Sequence, residues 1–243
     1  MRTKVFHLLV FLFCCFMCYS QNNIETGAGI SAQDTYFLNR IKQEFFLRTP
    51  TNEPIKVDDI DGSPYLSEKF SPGKILDELT GKSEAVFLRY NIYNDEFEVK
   101  YDVSSENIVG LKKGSTLVAQ LGDDKFYYKA FVNHKNEQKL GYLKEVYNSK
   151  NVVILKDYYQ KLRLPKPAKT SLEKDIPAKL SNHQSYYLKT DKGTLIKIEM
   201  NRKKIANSFP NHQNEIKSFI KEKKLRFNDE KDLLQLANFY GTL

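Results

Sequence analysis

The chain has 243 residues, 41% of them hydrophobic, and its 38 lysine and arginine residues outnumber 30 acidic residues to give a formal net charge of +8. This apolar share excludes an intrinsically disordered chain and indicates a globular protein of one or two domains. The basic side chains are interspersed with acids along the whole chain, a pattern typical of a solvated surface, and we expect no nucleic-acid partner.

Residues 1–20 have the layout of a secretory signal peptide, with a basic start, an apolar run and a small residue ahead of the cut. The apolar run is shorter than the roughly 20 residues that a membrane-spanning helix needs. We therefore expect cleavage near Ser20/Gln21, a periplasmic or secreted mature protein, and no membrane span. All three cysteines lie in the segment removed, so the mature chain is cysteine-free, and the loss of Arg2 and Lys4 lowers its net charge from +8 to +6.

The first part of the mature chain has little regular pattern. Residues 21–33 are polar and small, and we predict a flexible tail. In residues 34–49 the apolar side chains Phe37, Ile41 and Phe45 recur at helical spacing, which predicts a short amphipathic helix.

The period changes to two in residues 50–164, which predicts an antiparallel β domain. In residues 96–103 we expect Phe97, Val99, Tyr101 and Val103 to pack inward, while Glu96 and Glu98 share a solvated face. Turn residues separate the candidates closely enough to favour hairpins over crossover helices. The predicted strands are 85–92, 96–103, 116–120, 125–132, 139–147 and 152–162.

Residues 165–179 contain Pro165, Pro167 and Pro177 among lysines and alanines, so we predict an extended linker or arm there. Residues 180–243 form the last predicted unit, a β-hairpin followed by two to three short helices. We expect Asn211 and Asn228 to cap two of these helices. The fold class predicted for the whole chain is α+β, an antiparallel β-sheet meander, sandwich-like or an open half-barrel, followed by this hairpin and helical unit.

Three short motifs resemble a group of exported β-rich proteins of Bacteroidota type. They are Gly62-Ser63-Pro64-Tyr65-Leu66 with Phe70, Pro72 and Gly73; Leu88-Arg89-Tyr90-Asn91-Ile92-Tyr93-Asn94-Asp95; and the helical tail with Phe219-Ile220-Lys221 and Leu233-Leu234. The resemblance implies an envelope location and a β-rich single chain. It implies no catalytic residue, because that group has no assigned chemistry.

The ionisable residues form no recognisable catalytic or metal-binding motif. His134, His183 and His212 lack the spacing by which one helix face binds zinc, and we expect all three to be solvated. No Gly-x-Ser-x-Gly elbow marks a nucleophile. We therefore predict no cofactor and no metal, leave the catalytic residues unknown, and lean against an enzyme. Carboxylates of the β domain, among them Asp58, Asp59 and Asp61, are the alternative, as the acids of a cell-envelope hydrolase.

Aromatic side chains are the most unusual class, with 15 tyrosines, 16 phenylalanines and no tryptophan. Tyrosine pairs on three predicted strands place one ring on each face of the sheet. The outward ring and a nearby lysine form a candidate interaction surface, because tyrosine is enriched at interfaces. Cross-strand aromatic pairs that hold any sheet together are the alternative interpretation. The candidate residues are Tyr127, Lys129, Tyr158, Lys161, Tyr186 and Lys189.

These observations predict an exported envelope protein that acts as a non-catalytic binding or scaffolding module. An envelope protein and an anionic polysaccharide are the two candidate partners. The alternative functions are the hydrolase above and a salt-sensitive binder of anionic envelope polymers.

Overall fold

The computed structural model describes residues 42–43, 60–170 and 172–243. The signal peptide 1–20, the tail 21–33 and most of the helix predicted for 34–49 lie outside the described residues. The exception is Lys42–Gln43, which forms a strand instead of helix.

All the strands in the described residues belong to one sheet. Turns with two to six residues separate most neighbours, as the spacing of turn residues predicts. The strands are β1 (Lys42–Gln43), β2 (Ile60–Asp61), β3 (Ser71–Asp77), β4 (Ser83–Asn91), β5 (Glu96–Lys100), β6 (Val109–Leu111), β7 (Leu117–Leu121), β8 (Asp124–Val132), β9 (Gln138–Asn148), β10 (Val153–Arg163), β11 (Ala178–Lys189) and β12 (Leu195–Ile198).

The sheet consists of two meanders joined side by side. Its order is β1-β6-β5-β4-β3-β7-β8-β9-β10-β11-β12, so β3–β6 run outward in one direction and β7–β12 in the other. Neighbours pair antiparallel, except that β2 lies parallel to β11. The α+β class, with an antiparallel meander, a C-terminal hairpin and short helices, is confirmed. The sheet is open, with β1 and β12 at its two ends.

The predicted strand over residues 96–103 is only partly correct. β5 ends at Lys100, and the Asp102 carboxylate then accepts hydrogen bonds from the Ser104 amide and hydroxyl, which closes a turn. Tyr101 and Val103, predicted to pack, are 39% and 59% exposed. The alternation continues past the true strand end, so the pattern alone cannot show where pairing stops.

The C-terminal elements cover one face of β10–β12. They are a 3-10 helix (Ile205–Ser208), helix α1 (Gln213–Glu222) and helix α2 (Glu230–Tyr240). Ile216, Ile220 and Leu236 pack with Tyr186 and Leu188 of β11 in a buried cluster. Burial of one face of an amphipathic helix is the main source of its stability in a protein, so the short helices depend on the sheet.

The helix caps differ from the predicted ones. The residue before α1 is His212, in a left-handed conformation at φ 60° and without a side-chain capping bond, rather than Asn211. The cap of α2 is Asp229, whose carboxylate accepts from the Asp232 amide, rather than Asn228. Both predictions are one residue early: at α2 the adjacent Asn228 and Asp229 are both suitable caps, whereas at α1 the cap position has no side-chain bond.

The segment 165–179, predicted as a linker or arm, forms the end of the hairpin between β10 and β11. These two strands pair along their whole common length, from Val153–Lys189 to Arg163–Lys179. Beyond them Lys166 and Ile176 form one further antiparallel bridge.

Replacement of Leu236 by alanine tests the packing of the helices on the sheet. The side chain is fully buried in the helix–sheet cluster, so Leu236→Ala should lower the free energy of unfolding by about 2–5 kcal/mol. Leu79→Ala, at a position 72% exposed, is the matched control and should change it little. Equal losses of unfolding free energy for the two variants in chemical denaturation would show that the packing of the helices on the sheet adds no stability.

Candidate functional site

The six candidate surface residues do not form one surface. In the register of the sheet Tyr127 lies opposite Leu143, and Leu143 lies opposite Asp157. Since neighbours along a strand point to opposite faces, Tyr158 faces away from Tyr127. Lys129 shares the face of Tyr127 and its ammonium lies 5.3 Å from that ring.

Tyr186 is not on the surface at all. Its side chain is 2% exposed within the helix–sheet cluster, and its hydroxyl donates to Glu230 Oε2 at 3.0 Å. The same carboxylate pairs with Lys156, which is also buried. Tyr187 is buried on the other face with Phe131, so both rings of this tyrosine pair are core. Lys161 and Lys189 are exposed, as predicted.

The most unusual site in the described residues is a fork in the sheet that sequence reasoning missed. β9 and β10 pair only as far as Leu143 and Asp157. Beyond this point β9 continues beside β8 and β10 continues beside β11. The edge of β9 at residues 138–142 is therefore left without a neighbouring strand on the β10 side.

Asp95, from the turn between β4 and β5, occupies this fork. Its Oδ1 accepts hydrogen bonds from the Tyr90 hydroxyl at 2.6 Å and from the Tyr142 amide at 3.1 Å. Its Oδ2 pairs with Lys139 Nζ at 2.9 Å. The backbone of Asp95 is left-handed at φ 54°, a conformation that aspartate adopts more readily than most residues. The carboxylate thus satisfies a strand amide that has lost its partner strand.

Asp157 lies at the same fork with a very different outcome. Its side chain is 1% exposed, and neither carboxylate oxygen has a hydrogen-bond partner among the described residues. Burial raises the pKa of Asp157 to about 7, and the charge of Asp95 adds to this, while Lys139 and Lys197 act against it. Lys139 is the main cation that acts on Asp157, but its ammonium is already paired with the Asp95 carboxylate.

Two of the three histidines are not simply solvated. His134 and His183 both stack on the Tyr159 ring, with centroids at 3.7 and 5.3 Å and planes within 7° and 17° of parallel. Burial and the nearby Lys161 lower the pKa of His134, so the neutral ring is favoured. His212 is exposed. Among the described residues no group of three histidine, cysteine or acidic side chains is placed to hold a metal ion.

Glu98, predicted on a wet face, is instead 2% exposed and pairs with Arg89. The Arg89 guanidinium lies 3.8 Å from the Tyr65 ring centre and 4.5 Å from that of Phe70. Burial and the Glu98 charge raise the pKa of Tyr65 to about 12. The Ile92 amide also donates a hydrogen bond to the carbonyl of Pro64, in the motif at 62–66, at 2.8 Å. The first two motifs of the resemblance therefore contact each other in one cluster, whereas the helical tail packs in the helix–sheet cluster.

The carboxylates proposed for a hydrolase are not gathered into a cleft by the described residues. Asp58 and Asp59 lie outside them. Asp61 is exposed and pairs with Lys179 at 3.1 Å. An exposed carboxylate with a basic partner lacks the environment that raises the pKa of a catalytic acid.

The arm, defined as residues 163–179, is the most exposed element that carries both charge and apolar groups. Leu164, Leu172 and Ile176 are 63%, 96% and 40% exposed. Five basic residues outnumber the two acidic ones. Both acids bind the backbone of the arm: Asp175 accepts from the Ala168 amide at 2.7 Å and Glu173 from the Lys169 amide at 3.1 Å.

Three lysines of the arm, Lys166, Lys169 and Lys174, are exposed and form no ion pair with any described residue. The two acids are held against the backbone, so the arm presents mainly positive charge. The sequence signal for this element was present in the prolines and lysines, but the exposed leucines could be recognised only from the structure.

Comparisons with protein-family models, with curated proteins and with solved structures find no match. Within the described part of the chain, no helix is long and apolar enough to cross a membrane.

Asp157→Asn tests the buried carboxylate through the pH dependence of stability. The folded state holds the Asp157 proton more tightly than the unfolded chain, where the pKa is 3.8. The wild type should therefore lose stability as pH rises from about 4 to about 7, by up to roughly 4 kcal/mol. The variant should be more stable than the wild type at pH 8 and similar to it near pH 4.

The measurement is urea unfolding of both proteins at several pH values, with Asp123→Asn, at an exposed position, as the control. The difference between wild type and Asp157→Asn should shrink steadily below pH 7. A difference that is independent of pH would mean that Asp157 stays ionised in the folded protein.

Gly141→Ala tests the fit of Asp95 in the fork. An added Cβ would overlap the Asp95 carboxylate, which cannot move without losing its three partners. We expect a loss of about 1–3 kcal/mol in unfolding free energy. Gly114→Ala is the matched control, because a Cβ there would meet Leu117 only at an ordinary 3.7 Å. A neutral Gly141→Ala would show that the fork is loosely packed.

Proposed function

We propose that the mature protein is exported and acts as a non-catalytic binding module of the cell envelope, with the arm as its contact element. The observation that carries the proposal is that exposed leucines lie on the end of one hairpin together with lysines that form no ion pair with any described residue. Leu172 is 96% exposed, and covering a leucine side chain with a partner would contribute about 1.5–3 kcal/mol to binding.

The charge of the arm indicates the chemistry of the partner. Five basic residues against two acids attract an acidic surface and speed its encounter with the arm. The exposed Leu164, Leu172 and Ile176 call for apolar contact as well, which the aliphatic side chains of a protein surface supply. An acidic protein of the envelope therefore fits better than an anionic polymer, which is the alternative partner.

The buried acid at the fork favours binding over catalysis. Asp157 has the raised pKa expected of a general acid, yet it is only 1% exposed and lies on β10 within the sheet. A catalytic acid must come within hydrogen-bond reach of its substrate. A hydrolase built on Asp157 would need the fork to open.

Cross-linking in intact cells, followed by purification of the tagged protein and mass spectrometry, tests the proposal. We expect one recurring acidic protein with the wild type. Leu172→Asp removes the apolar contact and adds a negative charge that repels an acidic partner, so this variant should lose that partner. Leu79→Asp, at another site 72% exposed, is the matched control and should keep it.

Salt and charge provide the second measurement on the same complex. Neutralisation of Lys166, Lys169 and Lys174 to alanine should weaken attachment, and so should raising the salt from about 0.1 M to about 1 M, which shortens the screening length from about 10 Å to about 3 Å. Recovery of the same partner from wild type and all arm variants would refute the arm as the contact element. Attachment to an anionic polymer and to no protein would show that the alternative partner, the anionic polymer, is the correct one.

A further inference from the structure

We propose that a cleft beside the turn between β11 and β12 binds a small sugar that carries one carboxylate group. The cleft has a volume of about 440 Å³ and lies between this turn, the segment before α1 and the end of α2. Small-molecule sites are typically clefts of about 300–1,000 Å³. No residue of the arm lines the cleft, so this inference goes beyond the proposed function and does not depend on it.

One wall of the cleft is apolar. Ile196, Pro210 and Tyr240 line it. The Tyr240 ring is held by an edge contact with Phe209, with centroids 4.8 Å apart. A sugar ring presents carbon-bound hydrogens on its faces, and these pack on an apolar or aromatic wall of this kind.

The other walls offer groups that bind hydroxyls. Asn151 and Asn211 line them, and the Asn151 side-chain amide also donates to the Gly241 carbonyl at 3.2 Å. The Thr190 hydroxyl oxygen is buried at the cleft without a hydrogen-bond partner among the described residues. The backbone of Thr190 is fully used, because its amide donates to Thr194 and its carbonyl accepts from Gly193. A sugar hydroxyl that reaches this oxygen, once the side chains over it move aside, would satisfy the one polar group of Thr190 that has no partner among the described residues.

The charges of the cleft select the ligand class. Lys189 and Lys192 line it and form no ion pair with a described residue, while Asp191 lies between them in sequence. Two positive charges and one negative charge favour a ligand with a single negative charge over a doubly charged phosphate or a neutral sugar. A uronic acid, which is a sugar ring with one carboxylate, meets all three requirements.

Isothermal titration of the purified protein with glucuronate tests the site, with glucose as the neutral probe. We expect glucuronate to bind and glucose to bind at least about tenfold more weakly. The double variant Lys189→Ala/Lys192→Ala should lose about tenfold in glucuronate affinity or more. The matched control, Lys203→Ala/Lys204→Ala, removes the same charge from exposed positions outside the cleft and should bind normally.

The hydroxyl of Thr190 is tested by two variants of nearly the same size. Thr190→Val should weaken glucuronate binding, and Thr190→Ser, which keeps the hydroxyl, should restore it. Thermal unfolding of each variant confirms that it is folded. Leu172→Asp in the arm should bind glucuronate normally, which separates failure of this inference from failure of the proposed function. Absence of binding, equal affinity for glucose, or an equal loss in the control pair would overturn the cleft as a uronate site.

Discussion

The carboxylate of Asp95 takes the place of a strand where β9 and β10 separate, and the arrangement of the sheet depends on it. A strand edge inside a protein must find acceptors for its amides, because an unpaired buried amide is strongly unfavourable. Asp95 supplies one to Tyr142 and is itself fixed by Tyr90 and Lys139. Its turn belongs to the β3–β6 meander, whereas β9 belongs to the β7–β12 meander. The interaction therefore links the two meanders at a second place, besides the pairing of β3 with β7.

The same arrangement explains why Asp157 is left unsatisfied. Lys139 is the nearest principal cation, and its ammonium is committed to Asp95. A buried acid without a partner is unfavourable when ionised, so the fork stores a pH-dependent weakness in the middle of the sheet. The surrounding aromatic and aliphatic core, including Leu143, Leu155 and Tyr187, supplies the burial that creates this condition.

The local hydrophobic pattern predicted most of the strands, but it did not predict which residues pack against them. Period-two alternation located β4, β5 and β7–β10, but it missed β3 and the short β6. Alternation also placed Glu98 in water, because it cannot show that Arg89, Tyr65 and Phe70 cover that face. The fork was beyond sequence reasoning for the same reason.

Asp95 and Tyr142 are distant in the chain, and only the topology brings them together.

The interaction surface shows both outcomes within one set of residues. The pattern correctly predicted that Lys161 and Lys189 are exposed, but Tyr186 is enclosed by helices whose docking no periodicity could indicate. The exposed leucines of the arm are invisible in sequence, because apolar residues in a proline-rich segment look the same whether covered or open.

The order of the strands also implies an order of assembly. β7–β12 pair strictly in chain sequence, so each new strand can add to its predecessor with only a short loop to close. The pairing of β3 with β7 instead spans three intervening strands, and the pairing of β2 with β11 spans nearly the whole sheet in sequence, so both contacts close longer loops. Each meander can therefore assemble from neighbouring segments, whereas the β3–β7 and β2–β11 contacts join segments that are far apart in the chain.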